Sequence, residues 1–224
     1  MDLRSYFLNK GGDGWFERNI DALESRKVFP DIDLVSQYLH PEAIPNHIKF
    51  LEIGCGPGHR TRALASMVNG EGWGIDPSKK AIRFARLQEN SRQDRKFCPL
   101  NYIRGTAESL DFQDKYFDFI YFAFCFYLID RSLLTKVRDE ADRVLKNGGK
   151  LAILDFDSST KVVKGNKNSG SLATFRDTHE RLFIQLGYDI VAKLSLMSDS
   201  TIGFSQDESS RVALHLLNKP LNKS

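Results

Sequence analysis

The sequence predicts an α/β fold, a single domain built on a mostly parallel β-sheet with helices on both faces. From residue 48 onward, short apolar runs rich in β-branched and aromatic residues alternate with amphipathic stretches of helical length. Gly, Asn, Asp or Pro marks each change from one kind of segment to the other. A chain of 224 residues is long enough to bury one large core without a second domain.

Five apolar runs predict buried strands. Their residues suit a pleated sheet, and each run is too short for a helix of ordinary length. The predicted strands are residues 48–53, 72–75, 102–104, 119–123 and 150–154. Helices are expected in the intervals, and one over residues 59–68 follows the first strand directly.

The two flanks of this region have different patterns. Residues 16–38 carry apolar positions at helical spacing that Pro30 interrupts, which predicts two helices. Residues 158–171 are rich in Ser, Lys, Asn and Gly, which predicts a mobile loop. The elements expected after this loop are a helix over 175–186 and strands near 190–194 and 211–217.

The composition excludes several classes of protein. Hydrophobic residues make up 41% of the chain, and no apolar run reaches the roughly 18 residues of a membrane span. Cys55, Cys98 and Cys125 are widely spaced and predict neither a disulfide framework nor a metal site. The 32 basic and 29 acidic residues are dispersed, whereas nucleic-acid binders cluster their basic residues. With no secretory signal in view at the start, we expect a cytoplasmic protein without a membrane or nucleic-acid partner.

A glycine-rich turn, residues 54–58 with the sequence GCGPG, connects the first predicted strand to the following helix. Glycines allow a sharp turn and a close approach of the backbone to a ligand. Asp76 ends the second predicted strand, where a carboxylate can accept hydrogen bonds from both hydroxyls of a ribose. Two alternatives stay open: a tight turn without a ligand, and Asp76 as the cap of a helix that starts at Pro77.

The position of the third glycine separates two classes of cofactor. Dinucleotide-binding folds use GxGxxG, whereas here Gly58 comes one residue early and His59 occupies the expected position. This spacing favours S-adenosylmethionine (SAM) over NAD. An NAD(P)-dependent oxidoreductase is the alternative enzyme class, and it would need a catalytic pair such as Tyr/Lys that the sequence does not reveal.

Two further segments follow in the order expected of SAM-dependent enzymes. They are residues 105–110, GTAESL, after the third strand, and residues 117–120, FDFI, at the start of the fourth. With the glycine turn, they make residues 48–155 resemble the class I SAM-dependent methyltransferases. The resemblance implies a Rossmann-like fold with a seven-stranded, mostly parallel sheet. It divides the single domain into an N-terminal helical lid (1–46), a SAM-binding core (47–157) and a C-terminal acceptor-side part (158–224).

The resemblance also implies a role for each part of the motif. Gly54, Gly56 and Gly58 would face the methionine part of SAM, and Asp76 the ribose. Many family members have Asp where this chain has Thr106, which leaves the Ala107 backbone N–H as the expected adenine contact. The complete set of expected cofactor-binding residues is Glu52, Gly54, Gly56, Gly58, Asp76, Pro77, Thr106, Ala107, Glu108, Ala123, Trp15 and Arg18.

Residues 12–19, 122–131 and 140–145 carry a closer resemblance. They look like a methyltransferase type 11-like subgroup of bacteria that is associated with surface-polysaccharide pathways. This implies methyl transfer to a small polar acceptor, an oxygen of a sugar or sugar-nucleotide-type metabolite. The fourth strand lacks the Asn/Asp-Pro-Pro-aromatic motif that grips a flipped base, so a nucleic-acid base is not the expected acceptor. Natural-product methylation and non-catalytic SAM binding are the alternatives.

Methyl transfer from a sulfonium is an in-line displacement, so holding the acceptor and excluding water supply most of the catalysis. A hydroxyl acceptor also benefits from a base near the carboxyl ends of the strands. The predicted catalytic residues are Asp155 after the fifth strand, Tyr127 after the fourth, and His179 if its helix packs over the cleft.

Trp15 lies among three glycines, Gly11, Gly12 and Gly14. If these glycines are flexible, Trp15 and Phe16 would form an aromatic lid that attracts the sulfonium cation. The alternative is an apolar staple that fixes the N-terminal helix to the core.

Overall fold

The structure is a computed structural model that describes residues 3–26, 28–39, 47–68, 70–92, 100–158, 162–165, 173–197 and 203–221. The α-helices in these ranges are α1 (Leu3–Tyr6), α2 (Gly12–Ser25), α3 (Pro30–Tyr38), α4 (His59–Met67), α5 (Lys79–Asn90), α6 (Leu134–Val144) and α7 (Arg181–Ile184). The strands are β1 (Ile48–Ile53), β2 (Gly70–Asp76), β3 (Leu100–Arg104), β4 (Phe117–Ala123), β5 (Leu145–Phe156), β6 (Val162–Gly165), β7 (Ala173–Arg176), β8 (Asp189–Leu196) and β9 (Val212–Asn218). Short 3₁₀ helices span Phe126–Leu128, Arg131–Leu133 and Glu208–Ser210.

Seven strands form one sheet in the order β3-β2-β1-β4-β5-β9-β8. The strands from β3 to β5 are parallel to one another, and β9 lies antiparallel between β5 and β8. This confirms the predicted Rossmann-like sheet and the strands expected near 190–194 and 211–217. Because the five parallel strands end at the same edge, the loops that follow them meet there.

The sheet separates two apolar cores. Successive residues of a strand point to opposite faces, so Phe50 of β1 enters one core and Leu51 enters the other. The first core packs against α3, α4 and α5, and the second packs against α6 and α7. Helices therefore cover both faces, as parallel strands with apolar residues on both sides require.

The N-terminal helices confirm the predicted break at Pro30 but are more extensive than expected. The helical segment starts at Leu3 and continues through a π-helical stretch, Phe7–Gly11, into α2. The glycines around Trp15 are helical, whereas the lid hypothesis placed Trp15 beside flexible glycines. A Cβ at Gly12 would lie 2.8 Å from the Phe7 carbonyl oxygen and 3.1 Å from the Ser78 nitrogen. The missing side chain therefore allows α2 to pack closely against the chain before α5.

The segment between β5 and α7 differs from the prediction. Residues 162–165, expected in a mobile loop, form β6, which pairs with β7. A helix is predicted over 175–186, but residues 175 and 176 belong to β7. Within the predicted range, only α7 is helical. Val163 of β6 pairs with Phe175 of β7, and cross-strand pairing of β-branched and aromatic residues outweighs the helical pattern of the sequence. Residues 159–161 and 166–171 of the predicted loop lie outside the described residues.

A buried ion pair attaches α3 to the sheet. Asp31 of α3 is fully buried and accepts hydrogen bonds from Arg60 Nε at 2.8 Å and from the Tyr121 hydroxyl at 2.7 Å. The Arg60 guanidinium also lies over the rings of Phe29 and Phe124, at 5.3 and 5.6 Å from their centroids. Because α3, α4 and β4 each supply one member of the cluster, it fixes two helices against the sheet.

We predict that Asp31→Ala lowers the free energy of unfolding by about 3–5 kcal/mol, because it leaves the buried Arg60 guanidinium without its carboxylate. Urea unfolding measures the loss. Asp33→Ala is the matched control, since Asp33 lies on the same helix and is exposed. Similar unfolding midpoints for the two variants would contradict the structural role of the cluster.

Candidate functional site

A cleft of about 400 Å³ opens at the carboxyl ends of the parallel strands. Open α/β sheets bind their ligands at this edge. Its lining comes from the turn after β1, the end of β2, residues 105–108, helix α2, the loop after β4 and the end of β5. Aromatic and aliphatic side chains predominate, and charged or polar side chains such as Arg4, Glu52 and Asp76 lie among them, a mixture that suits a small-molecule site.

Gly56 and Gly58 in the turn after β1 serve different purposes. Both have left-handed backbone conformations, with φ of +52° and +76°. A Cβ at Gly58 would lie 2.5 Å from the ring of Tyr102, so packing requires glycine there. A Cβ at Gly56 would meet nothing within 4 Å, although Gly56 lines the cleft. The space in front of Gly56 is therefore available to a ligand.

Asp76, at the end of β2, joins two loops. Its Oδ2 accepts a hydrogen bond from Gly56 N at 2.9 Å, and its Oδ1 accepts one from Ser78 N at 2.8 Å. Ser78 caps α5, because its hydroxyl accepts from Ala81 N, so the alternative of an Asp76 cap for a helix starting at Pro77 is wrong. Burial raises the pKa of Asp76 to about 6, against the opposing effect of these hydrogen bonds. Each carboxylate oxygen keeps a lone pair that a ribose hydroxyl can use.

Two buried glutamates also line the cleft. Glu52 of β1 accepts a hydrogen bond from the Thr61 hydroxyl, and burial raises its pKa to about 7 despite that bond. Glu108 forms an ion pair with Arg4 of α1. Arg4 itself lines the cleft, so α1 closes the end of the cleft at which Glu108 lies.

Helix α2 is attached through Asp13 to the start of α5. Asp13 Oδ1 accepts hydrogen bonds from the Ser78 hydroxyl at 2.7 Å and from Lys80 N at 2.9 Å. Burial acts to raise the pKa of Asp13, but these bonds outweigh it and hold the pKa below its usual value. The attachment brings Trp15 to the cleft, whereas Arg18 is not among the described residues that line it.

The other expected cofactor residues meet in the same cleft, with one exception. Pro77, Thr106, Ala107 and Ala123 line it together with Gly54. Gly58 lies beneath the turn against Tyr102 and does not line the cleft.

The loop after β4 contributes the rings of Phe124 and Tyr127, and the end of β5 contributes that of Phe156. With Trp15 of α2 they form what we call the aromatic wall: Trp15, Phe124, Tyr127 and Phe156. The Phe156 ring packs edge to face against Phe124 and Tyr127, with centroids 5.9 and 5.2 Å apart. Tyr127 is hydrogen-bonded to the Trp15 side chain, and burial raises its pKa well above the usual value. Phe124 has a left-handed backbone with φ of +51°, a conformation that costs energy for a bulky residue. The loop therefore holds Phe124 in an unfavourable conformation in order to place its ring at the cleft.

Asp155, the leading candidate for a base, lies behind the aromatic wall and does not line the cleft. Because successive strand residues point to opposite faces, Phe156 reaches the cleft and Asp155 points away from it. The Asp155 carboxylate accepts hydrogen bonds from Tyr127 N at 3.3 Å and Phe156 N at 2.8 Å. Burial raises its pKa to about 7, which the backbone hydrogen bonds oppose. These contacts suit a carboxylate that holds the loop after β4 in place.

His179 is not at the cleft either. It lies in the turn before α7 rather than on a helix over the cleft, and its ring stacks on Phe126 with centroids 5.1 Å apart. Burial, with a contribution from the Arg131 charge, lowers the pKa of His179 to about 3. The sequence predicts that residues 158–224 form the acceptor side of the cleft. None of the described residues in this range lines it.

Some cleft residues were not expected from the sequence. Asn19 and Leu23 follow Trp15 at intervals of four residues and share its helix face, a spacing that could have indicated them. Phe156 ends a strand that is apolar on both faces, so the sequence pattern does not show that its side chain meets the cleft. The contact of Arg4 with Glu108 joins residues 104 positions apart, and no local pattern could predict it. The remaining unexpected lining residues include Phe29, His59 and Arg60.

Comparisons with known proteins agree with this geometry. Residues 51–153 match the family described as a methyltransferase domain. The uncharacterized methyltransferase YcgJ of Bacillus subtilis is 29% identical over 141 residues, which are 62% of this chain and 53% of YcgJ. A demethylmenaquinone methyltransferase of Geobacillus is 30% identical over 116 residues, 51% of this chain and 47% of that enzyme. The chain thus spans about half the length of the curated relatives it matches.

Solved structures show the same fold. A SAM-dependent methyltransferase from Methanosarcina mazei has a TM-score of 0.64 at 21% identity, over 82% of this chain and 99% of that chain. The YcgJ structure has a TM-score of 0.62 at 17% identity, over 85% and 98%. Residues 51–153 thus match a methyltransferase domain, and the fold is that of SAM-dependent methyltransferases. SAM is therefore the expected cofactor of this domain.

The cleft of the methyltransferase domain fits SAM. The open space in front of Gly56 would hold the methionine part, and the Asp76 carboxylate is placed to accept from the ribose. Thr106 and Ala107 line the same cleft, where the family resemblance expects the adenine.

We predict that Gly56→Ala weakens binding of S-adenosylhomocysteine at least about tenfold, because the new methyl group occupies space that the cofactor needs. Its backbone strain should cost only about 1–2 kcal/mol of stability. Calorimetric titration and urea unfolding measure the two effects. Gly187→Ala is the matched control, since Gly187 has φ of +85°, only one atom near its Cβ at 4.0 Å, and no place in the cleft. Equal cofactor affinity in the two variants would place the methionine part elsewhere.

We predict that Asp76→Ala weakens cofactor binding by about 1–3 kcal/mol, because the ribose hydroxyls lose a charged acceptor. With a pKa of about 6, the Asp76 carboxylate is ionised above that pH and becomes protonated as the pH falls through it. Cofactor affinity should therefore be full above pH 6 and decline below it. Titration of Asp76→Asn over the same pH range is the control, and a decline that persists in this variant would point to Glu52 instead.

Proposed function

We propose that this chain transfers the methyl group of SAM to a small acceptor with a planar, largely apolar body. The observation that carries the proposal is the aromatic wall, which lines the same cleft as the glycine turn and Asp76. A planar ring placed against Phe124 and Phe156 would bury its faces on aromatic carbon while one edge points toward the methyl donor. The proposed acceptor class follows from this shape and polarity.

SAM supplies an electrophilic methyl group when it is bound, so the residues of the cleft need to hold the acceptor in line and exclude water. The hydrogen bond between Trp15 and Tyr127 holds two rings of the wall together. The ion pair between Arg4 and Glu108 brings α1 over the cleft. We therefore include in the proposal that residues 1–46 act as the lid of the cleft.

Proximity, rather than a strong base, would carry the reaction. Tyr127 is the predicted catalytic residue that lines the cleft, and its raised pKa keeps the hydroxyl neutral, so it can position an acceptor but not deprotonate it at neutral pH. The base roles of Asp155 and His179 stay predictions, and neither side chain lines the cleft. An acceptor with an acidic hydroxyl or an activated carbon suits such a site.

Relatives of this chain support the same class of acceptor. Proteins named demethylmenaquinone methyltransferase and ubiquinone/menaquinone biosynthesis C-methyltransferase, from Geobacillus and Vibrio species, are 29–30% identical over about half of this chain. Quinones are planar rings with an apolar substituent, which is the shape that the aromatic wall suits.

A sugar or sugar-nucleotide oxygen, the acceptor expected from the subgroup resemblance, is the second candidate. The observation in its favour is again the aromatic wall, because aromatic rings also stack on the apolar face of a sugar ring. Absence of a nucleic-acid partner and a cytoplasmic location stay predictions. Within the described helices, none has the length and hydropathy needed to cross a bilayer.

An acceptor screen tests the proposal. Phenols, quinols and sugar nucleotides are offered with SAM, and formation of S-adenosylhomocysteine is measured. We expect turnover with phenol- or quinol-type compounds. Turnover confined to sugar nucleotides would replace the proposed acceptor class with the second candidate. Cofactor binding without turnover across the screen would support a non-catalytic SAM-binding domain.

We predict that Phe156→Ala raises the KM for the accepted compound about five- to thirtyfold, the equivalent of about 1–2 kcal/mol of lost aromatic contact. Cofactor affinity should stay unchanged, because Phe156 lies on the aromatic wall and not at the glycine turn. Phe204→Ala is the control, since Phe204 is 55% exposed and does not line the cleft. A proportional loss of cofactor affinity in Phe156→Ala would contradict this division of the cleft.

A further inference from the structure

Three side chains with metal-binding atoms meet away from the cleft. Asp157 follows β5, Glu180 lies in the turn before α7, and His215 is in the middle of β9. One ligand atom from each lies within 4.8 Å of the other two. His215 Nε2 is 3.5 Å from Glu180 Oε2 and 3.9 Å from Asp157 Oδ1. Three distant segments of the chain thus converge on one point.

The atoms at this point lack the partners that buried polar atoms normally have. The side chains of Glu180 and His215 are only 7% and 4% exposed. Glu180 Oε2 and His215 Nε2 have no hydrogen-bond partner among the described residues. Their separation of 3.5 Å is too long for a good hydrogen bond between them. Leaving two such groups unsatisfied is costly, so an additional ligand between them would be favourable.

The orientation of His215 is that of a metal ligand. Its ring makes a hydrogen bond with the backbone of Ile153, and because Nε2 is the nitrogen without a partner, Nδ1 makes this bond. A histidine that donates from one ring nitrogen to a backbone carbonyl presents a lone pair on the other, which is the usual arrangement in metal sites. This nitrogen lies 3.5 Å from Glu180 Oε2 and 3.9 Å from Asp157 Oδ1, within reach of an ion shared with the two carboxylates.

We propose that Asp157, Glu180 and His215 bind one divalent transition-metal ion of the Zn²⁺ class. One imidazole with two carboxylates is a borderline ligand set, which suits Zn²⁺, Mn²⁺ or Fe²⁺ and disfavours Mg²⁺, which prefers oxygen alone. Ligands about 2.0–2.2 Å from a tetrahedral zinc ion lie about 3.4 Å apart. The separations of His215 Nε2 from Glu180 Oε2 and Asp157 Oδ1, 3.5 and 3.9 Å, are close to this value. The ion would connect β5, the turn before α7 and β9.

Lys193 is the group that opposes metal binding. Its ammonium lies 2.9 Å from Asp157 Oδ2 and 3.0 Å from Asp157 Oδ1, so it neutralises one of the three ligands. The Lys193 side chain is 41% exposed, and Asp157 is the least buried member of the cluster. Rotation of Lys193 into solvent would free Asp157 and open a path for the ion.

Titration of the full-length, tag-free, EDTA-treated chain with Zn²⁺ tests the proposal. We expect one equivalent to bind and to raise the Tm, because the ion binds the folded state. His215→Ala and Glu180→Gln should each weaken Zn²⁺ binding at least about tenfold and abolish the rise in Tm. Lys193→Met should strengthen binding severalfold, since it removes the competing cation.

The control for these variants is His47→Ala. His47 Nε2 lies 3.5 Å from Glu71 Oε1, the same separation as in the buried pair, but both residues are exposed and outside the cluster. It should bind Zn²⁺ like the unmodified chain. Glu180→Gln nearly preserves the side-chain shape, so it tests the site even if His215→Ala fails to fold. Failure to bind one equivalent of Zn²⁺, or equal affinity in Glu180→Gln and the unmodified chain, would overturn the proposal. These readouts do not depend on methyl transfer, so the proposed function can fail independently.

Discussion

The organisation of the cleft depends on the carboxylate of Asp76. One oxygen holds the glycine turn through Gly56 N, and the other holds the start of the next loop through Ser78 N. The Ser78 hydroxyl in turn donates to Asp13, which attaches α2. A single network of hydrogen bonds therefore connects the cofactor turn, the start of α5 and the helix that carries Trp15. Loss of the Asp76 carboxylate would affect all three. The glycine turn and the start of α5 bind it directly, and α2 is connected to it through Ser78.

Buried carboxylates at the ends of three parallel strands perform different tasks. Glu52, Asp76 and Asp155 occupy comparable positions on β1, β2 and β5, and burial raises the pKa of each. Glu52 and Asp76 line the cleft, whereas Asp155 accepts from the backbone of the loop that carries Tyr127. A raised pKa at this edge of the sheet therefore identifies a buried acid, and only the direction of its side chain decides whether it can meet a ligand.

The sequence predicted the features that depend on periodicity and on glycine, and it missed those that depend on long-range contacts. The strands, the GCGPG turn and the position of Asp76 follow from patterns within a few residues. The face of β5 that meets the cleft was not predictable, because a buried parallel strand is apolar on both sides and its pattern does not show whether Asp155 or Phe156 lines the cleft. The pairing of β6 with β7 overrode a helical pattern at 175–186. The convergence of Asp157, Glu180 and His215 also could not be predicted from local sequence patterns, because it arises only when β9 pairs with β5.

The position of β9 between β5 and β8 has a consequence for biosynthesis. After β5 has been synthesised, its free edge must wait for β9, with Leu154 pairing with Leu214, sixty positions later in the sequence. During that interval the edge of β5 that will pair with β9 is unpaired, and its residues 151–154 are all apolar. An exposed apolar strand edge of this kind promotes aggregation of a nascent chain. Translation rate and chaperone access over residues 157–218 should therefore affect the yield of this protein more than the rate at which its first half is made.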